Sequence, residues 1–167
     1  MFVKIKELAS NDLSEKAKEE LLKLFCLTIN TINFGDYSKE QVEMWGSQER
    51  LKDRWSSSFD KKKIFVCCDD GKYLGFCELD DGGYIDRFYV AFDSVGKGVG
   101  RKLYYALETS AEKRGIEKLC SNASITAKPF FEKLGFSVIA EQKVVIEGVE
   151  YVNYRVEKKL YTNKYKI

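Results

Sequence analysis

Glycine and basic residues alternate in one short segment, Val95-Gly96-Lys97-Gly98-Val99-Gly100-Arg101. An apolar stretch with alternating pattern, residues 85–92, precedes it, and an amphipathic stretch that ends near Arg114 follows it. This order predicts a strand, a glycine turn and a helix N-terminus. Glycine leaves space for a ligand against the main chain, and the first N–H groups of a helix have no partner within the helix. The segment is therefore typical of an anion-binding site.

A helix dipole alone is too weak to hold a ligand there. It contributes about 0.3–1 kcal/mol, whereas micromolar binding requires about 8 kcal/mol. Several N–H donors, together with Lys97, Arg101 and Lys102 beside a multiply charged phosphate group, could supply the difference.

Two common phosphate-binding motifs do not fit this segment. The P-loop requires Ser or Thr directly after Gly-Lys, and Gly98 follows Lys97 here. The dinucleotide fingerprint G-x-G-x-x-G is excluded because Gly96, Gly98 and Gly100 are evenly spaced.

Composition excludes several classes of protein. The 167 residues carry a net charge of +2, which does not indicate nucleic acid or membrane as a partner. The sequence contains no histidine, so histidine-based triads, bases and metal sites are excluded, and we expect no metal. The five cysteines lack metal-site spacing and are expected to be buried, reduced thiols. The N-terminal segment is too charged for a signal peptide, so we expect a cytoplasmic protein.

The first part of the chain has helical periodicity after one short strand, residues 2–5. Asp12 and Glu15 have the spacing of a capping box and predict a helix that continues to Ile32. Ser38 and Gln41 predict a second helix start, and a further helical segment covers residues 51–59. The charged residues 60–63 are interpreted as a solvated loop.

From Ile64 onward the pattern is mostly that of strands. Residues 64–68, 73–79 and 84–92 predict an antiparallel meander with a turn at Asp70-Gly71. The helix that follows the glycine loop is long enough for a crossover, so the strand at 119–123 must lie parallel to an earlier strand. A short helix and a hairpin with its turn at Glu147-Gly148 complete the chain.

Three segments resemble the GNAT N-acetyltransferase superfamily. The glycine segment resembles its pyrophosphate loop, Q/R-x-x-G-x-G/A. Phe88-Tyr89-Val90 precedes the loop, and residues 127–136, AKPFFEKLGF, are similar to the signature A-x-x-F-Y-E-K-L-G-F. The resemblance spans residues 82–136.

The resemblance implies an α/β (α+β) fold with a mixed, mostly antiparallel sheet, one parallel crossover and helices on both faces. We expect one acetyltransferase-like domain over residues 1–167. Residues 1–60 would form a helical acceptor-side half, residues 63–136 the cofactor-binding core and residues 137–160 a C-terminal hairpin.

The co-substrate implied by the resemblance is acetyl-CoA. Its amides would pair with the strand backbone, its pyrophosphate would lie in the glycine loop, and the N–H of Val90 would polarise the thioester carbonyl. The expected cofactor contacts are Phe88, Tyr89, Val90, Val95, Gly96, Lys97, Gly98, Val99, Gly100, Arg101, Ser124 and Phe130.

The acceptor is interpreted as an amine, which must lose a proton before or during attack. For a lysine-like amine at neutral pH that loss costs about 4–5 kcal/mol. The candidate bases are Asp86, Glu78 and Tyr84, with Asp86 equally able to form a structural ion pair. Alternation along the strand predicts that Tyr84 and Asp86 share a face with Phe88 and Val90.

Tyr37, Trp45 and Trp55 belong to the half that the resemblance places around the acceptor. They are predicted either to contact the acceptor or to lie in the core. Two positions depart from the family pattern. Phe131 lacks the hydroxyl that many relatives use to protonate the thiolate, and Val95 replaces the usual Gln or Arg.

Two functions remain open at this point. The first is acetyl transfer to a small-molecule or peptide amine by direct attack, without a covalent enzyme intermediate. The alternative is a non-catalytic CoA-binding regulatory module. A tRNA- or protein-modifying enzyme is a third and weaker interpretation, and a homodimer is left open.

Overall fold

The computed structural model describes residues 3–161, and it contains a seven-stranded sheet with the order β1-β2-β3-β4-β5-β7-β6. β4 and β5 are parallel, and the other neighbouring strands in these residues are antiparallel. The strands are β1 Lys4–Ala9, β2 Lys63–Asp69, β3 Lys72–Leu79, β4 Tyr84–Val90, β5 Lys118–Ser124, β6 Ser137–Ile146 and β7 Val149–Lys159. The predicted mixed sheet with one parallel crossover is confirmed.

Helices cover both faces of this sheet, as predicted. They are α1 Glu15–Ile32, α2 Lys39–Trp45, α3 Gln48–Trp55, α4 Val99–Lys113 and α5 Lys128–Lys133. Short 3-10 turns cover Ser10–Asp12, Asn33–Gly35, Ser56–Phe59 and Phe92–Ser94. Within residues 3–161, no helix combines the length and apolar character needed to cross a bilayer.

Each face of the sheet has its own hydrophobic core. On one face, buried side chains of α4 such as Leu103 and Leu107 pack against Ile85 and Cys77 of the sheet. On the other, Phe25 of α1 packs with side chains of β2 and β3. The two cores hold β4 between layers of helix, which fixes the strand that leads into the glycine loop.

Two predicted boundaries at the start of the chain were wrong. The first strand is Lys4–Ala9 rather than 2–5, and Phe2 lies outside the described residues. The first long helix is capped by Ser14, whose hydroxyl accepts from the N–H of Ala17, not by Asp12. Asp12 instead accepts from the N–H of Ala9 at 2.8 Å, because a 3-10 turn separates strand and helix. The capping box of Ser38 and Gln41 is confirmed.

A β-bulge in β4 overturns the predicted side-chain alternation. Leu79 pairs with Ile85 and Cys77 pairs with Phe88, so two steps along β3 match three steps along β4. Phe88 and Val90 consequently pack on the α4 side, whereas Asp86 meets Lys62 on the opposite side. Tyr84 and Asp86 therefore do not share a face with Phe88 and Val90.

Candidate functional site

β4 and β5 separate shortly after they begin to pair. Their parallel ladder contains two residue pairs, Tyr84 with Cys120 and Ile85 with Ser121. The hydroxyl of Ser121 donates to the Ile85 carbonyl at 2.8 Å, at the last of these pairs. Beyond this point the remainder of β4 borders an open gap in the sheet.

Main-chain groups of β4 point into this gap. The N–H of Ala91 donates to Leu74 O at 2.9 Å, and Val90, the residue before Ala91, lies opposite Gly75. Hydrogen-bonded and non-hydrogen-bonded residue pairs alternate in an antiparallel ladder, and Val90 with Gly75 is a non-hydrogen-bonded pair. The N–H and C=O of Val90 therefore point away from β3. The carbonyl of Val90 accepts from the hydroxyl of Thr28 at 3.1 Å. Its N–H is thus available on the side of the gap.

The glycine loop ends at an uncapped helix N-terminus. Gly96 and Gly98 have φ values of 77° and 80°, a left-handed conformation that glycine adopts without strain. Gly98 is the N-cap of α4, and neither a capping side chain nor an acidic residue occupies its first turn. The N–H groups of Val99, Gly100 and Arg101 are therefore unpartnered within the helix and suit an anion.

The residues of the glycine loop differ in whether they line the cavity. Gly96, Gly98, Gly100 and Arg101 line the cavity described below, whereas Lys97 is exposed outside its lining and Val99 is buried in the core. Val95 lines the cavity and is 49% exposed.

Helix α4 approaches α5 closely at Gly100. A Cβ at Gly100 would lie 3.2 Å from ring atoms of Phe130, so only glycine leaves this approach undisturbed. The Phe88 ring lies 5.2 Å from that of Phe130 and completes the apolar wall between β4 and α5. Ser124 lies at the end of β5 and also lines the cavity, where its hydroxyl accepts from the N–H of Ala127 at 3.0 Å.

A cavity of about 1320 Å³ joins the loop, the gap and the helical half. It is large enough for a ligand of nucleotide-cofactor size together with a small second molecule. Of the predicted residues, it is lined by Tyr37, Trp45, Trp55, Tyr84, Asp86, Phe88, Tyr89, Val90, Val95, Gly96, Gly98, Gly100, Arg101, Ser124 and Phe130. Glu78, Lys97 and Val99 are not among its lining residues.

The three predicted acceptor-side aromatics are structural as well as cavity-lining residues. The Tyr37 hydroxyl donates to Val152 O at 3.0 Å and accepts from Ile125 N at 2.8 Å. The Trp55 indole donates to Lys18 O at 2.8 Å, and its ring lies 4.1 Å from the Arg87 guanidinium. The Trp45 ring packs edge-on against Tyr37 at 5.4 Å. All three residues thus pack within the protein and line the cavity, and their contact with the acceptor stays a prediction.

An ion-pair cluster joins β3, β4 and the segment just before β2. Lys62 contacts the carboxylate of Asp86 and lies 3.2 Å from Oε2 of Glu78, while its ammonium also donates to Ser58 O at 2.8 Å. Arg87 forms an ion pair with Glu78, which is completely buried. The segment 60–63 is thus not simply a solvated loop, since Lys62 turns inward to compensate two carboxylates.

Burial controls the protonation of the site. It raises the pKa of the Glu78 carboxyl, although the charges of Arg87 and Lys62 oppose the rise. It also raises the pKa of the Tyr84 hydroxyl, with Asp86 adding to the effect. Burial likewise raises the pKa of Tyr89, which lines the cavity. At neutral pH both tyrosine hydroxyls are protonated, so they can act as acids but not as bases.

Sequence reasoning missed Lys62, Thr28 and Ser121. Thr28 appears in the sequence only as one more position on the inward face of a helix, and Ser121 as a small residue in a strand. Lys62 stands within a run of charged residues that resembles a surface loop. The partners that define their positions at the site, Val90, Ile85, Glu78 and Asp86, are 16 to 62 residues away along the chain, so no local signal marks them.

A parted parallel strand pair beside a glycine loop and an uncapped helix is the arrangement that the resemblance to N-acetyltransferases leads us to expect. The family model described as an acetyltransferase (GNAT) domain matches residues 33–158 of the chain. The protein belongs to this family and is an acyl-CoA N-acetyltransferase.

Individual relatives agree with this assignment. An uncharacterized N-acetyltransferase, YafP of Escherichia coli K12, is 28% identical over 136 residues, which cover 81% of this chain and 85% of that protein. The crystal structure of a GCN5-related N-acetyltransferase from Rhodopseudomonas palustris superposes with a TM-score of 0.86 at 28% identity, covering 94% and 95% of the two chains. The PaiA N-acetyltransferase of Thermoplasma acidophilum, solved in complex with coenzyme A, has the same fold, with a TM-score of 0.70, 23% identity and coverage of 96% and 100%.

Proposed function

We propose that the protein transfers the acetyl group of acetyl-CoA to a primary amine, carried by a small molecule or a peptide, by direct attack. The observation that carries this proposal is the parting of β4 from β5 beside the N-terminus of α4. It places unpaired main-chain donors of both elements on one cavity that the acceptor-side helices also line.

The chain fits coenzyme A at two places. The uncapped first turn of α4 offers convergent N–H groups to a diphosphate, with Arg101 adjacent. The gap edge of β4 offers main-chain groups to the amides of the pantetheine arm, in the manner of an added strand. Both features come from the backbone. Val95, which replaces the Gln or Arg usual in the family's loop, therefore removes a side-chain contact but leaves the main-chain N–H donors in place.

The N–H of Val90 is directed at the gap and would stabilise the charge that develops on the thioester oxygen. A single fixed donor of this kind contributes roughly 10²–10³-fold to a rate. The Thr28 hydroxyl holds the neighbouring carbonyl of Val90, which fixes the orientation of this part of the strand.

The distribution of the cysteines supports direct attack. The cavity-lining residues in the described part of the chain include no cysteine. Burial raises the pKa of the Cys26 and Cys67 thiols to about 11, and it raises that of Cys77 as well. These thiols are poor nucleophiles at neutral pH, so an acetyl-cysteine step is not part of the proposal.

Phe131 leaves the departing thiolate without a phenol donor at that position. A thiol of pKa about 8–9 is a tolerable leaving group at neutral pH, so this absence costs at most about 2 kcal/mol. Tyr89, protonated and facing the cavity, is available as a donor on the acceptor side.

Two measurements on the purified protein test the proposal. Calorimetry should show one CoA site per chain, and CoA thiol release from acetyl-CoA should require an amine, with the acetylated amine detected by mass shift. CoA binding without thiol release across aromatic amines, alkylamines and lysine peptides would overturn the transferase proposal and favour a binding module.

A further inference from the structure

Aromatic rings dominate the acceptor side of the cavity. Tyr37, Trp45 and Tyr151 form one group, with ring centroids 5.4 to 6.2 Å apart. A second group lies deeper, next to β4, and includes Phe25 with its ring 4.5 Å from that of Tyr89 and 5.1 Å from that of Trp55. All six line the same cavity. Such walls complement a flat apolar molecule through offset and edge contacts.

The charged groups on this side are already paired. Among the described residues that line the cavity, Asp86 is the one acidic side chain, and Lys62 compensates it. Arg87 pairs with the buried Glu78. Arg54 lies 3.4 Å from Glu147, which also accepts from Arg50 at 2.9 Å. Asp86, Glu78 and Glu147 thus each have a cationic partner, so among the described lining residues a polyamine or aminoglycoside finds no uncompensated anionic anchor.

The same pairing leaves the site without a strong base. Asp86 is held by Lys62, Glu78 is completely buried away from the cavity, and the Tyr84 hydroxyl keeps its proton at neutral pH. The sequence supplies no histidine. Deprotonation of an alkylamine of pKa near 10.4 would cost about 4–5 kcal/mol at neutral pH, with no base in the site to accept the proton. An amine bonded directly to an aromatic ring carries no such cost, because it is already uncharged at neutral pH.

We infer that the acceptor is a primary aromatic amine, with its nitrogen bonded directly to the ring. This inference rests on the proposed acetyl transfer and names the substrate class for it. The lone pair of the amine nitrogen forms the N–C bond to the thioester carbonyl carbon. The C–S bond then breaks, with its electron pair leaving on the CoA sulfur. One N–H proton passes to that thiolate, directly or through water, so the products are an N-acetyl arylamine and CoA.

A matched acceptor series tests the inference. Aniline, benzylamine and spermidine are compared at saturating acetyl-CoA by thiol release, at half-unit steps between pH 6.5 and 9. We expect kcat/KM at pH 7 to be at least tenfold higher for aniline than for benzylamine, with spermidine below both. The profile for aniline should be nearly flat, whereas that for benzylamine should rise close to tenfold per pH unit.

Each outcome of this series is decisive. A higher kcat/KM for benzylamine or spermidine at pH 7 overturns the aromatic-amine assignment and leaves acetyl transfer intact. Absence of turnover with every amine, in a protein that binds CoA, overturns the inference together with the transferase proposal.

One variant connects this preference to the cavity. Trp45→Ala should raise KM for aniline at least fivefold and leave the Kd for CoA unchanged, because Trp45 lies on the acceptor side alone. Tyr105→Ala removes an exposed aromatic of α4 outside the cavity lining and should change neither value. If Trp45→Ala fails to bind CoA, Trp45→Phe is measured in its place. This variant retains a ring, so its KM for aniline should stay within threefold of the wild type. An unchanged KM in a CoA-binding Trp45→Ala variant contradicts the inference.

Discussion

The hydroxyl of Ser121 donates a 2.8 Å hydrogen bond to the carbonyl of Ile85, at the last residue pair before β4 and β5 separate. Ser121 is 3% exposed and Ile85 is fully buried, so the bond is shielded from water. It strengthens a parallel ladder of two residue pairs, and the gap between the two strands begins immediately beyond it.

Ser121→Ala should therefore loosen the point at which the strands part. We expect a loss of about 1 kcal/mol in the free energy of unfolding, the usual value for one buried hydrogen bond. Hydrogen exchange of the Cys120 N–H, which donates to Gly83 O at 2.9 Å in the same ladder, should accelerate. Ser137→Ala, on the exposed face of β6, should stay within about 0.5 kcal/mol of the wild type. Unchanged exchange at Cys120 would show that the hydroxyl does not hold the ladder.

The glycine loop can be tested against a matched glycine at the other end of α4. Gly98 and Gly115 have φ values of 80° and 72°, and an added Cβ meets no atom within 4 Å at either position. Alanine at either site should cost about 1–2 kcal/mol of stability through backbone strain alone. Gly98→Ala should also raise the Kd for CoA about tenfold, because it displaces the N–H groups of the first turn. Calorimetry that finds equal CoA affinity in both variants would place the diphosphate elsewhere.

The buried Glu78 makes stability depend on pH. Since burial raises its pKa above the ordinary 4.5, the folded state binds more protons than the unfolded state from pH 4.5 up to the folded pKa. The free energy of unfolding contributed by this group therefore falls as pH rises through that window. Glu78→Gln cannot titrate, so its stability relative to the wild type should improve from pH 4.5 upward, whatever the cost of leaving Arg87 without a charged partner. Urea unfolding at pH 4.5, 5.5, 6.5 and 7.5 measures this difference, and a constant value contradicts the assignment.

Local patterns were enough to predict the elements around the glycine loop. The strand at β4, the turn at Gly96 to Gly100 and the helix after it are neighbours in sequence, so alternation, glycine spacing and helical period determine them together. The hairpin turns at Asp70-Gly71 and Glu147-Gly148 were predicted for the same reason, and all four residues have positive φ.

Features that depend on pairing between distant segments were missed. The bulge in β4 arises from its register with β3, and this register moved Asp86 to the opposite face from Phe88. The inward position of Lys62 depends on Glu78 and Asp86, 16 and 24 residues away. Charge content marks such a lysine as a surface residue, because sequence alone does not show that two carboxylates require it.

The hydroxyl of Tyr37 joins three parts of the chain around the cavity. It donates to Val152 O in β7 and accepts from Ile125 N after β5, while its own residue precedes α2. Tyr37→Phe keeps the ring and removes both bonds, so it should lower the free energy of unfolding by about 1–3 kcal/mol. The wall formed by α2 and the C-terminal hairpin should then hold the amine less firmly. We expect KM for the amine to rise severalfold in steady-state assays, while calorimetry gives an unchanged Kd for CoA. Tyr105→Phe, which removes a hydroxyl from an exposed ring, is the matched control for both measurements. If Tyr37→Phe loses stability but keeps the wild-type KM, the hydroxyl supports the fold without shaping the acceptor site.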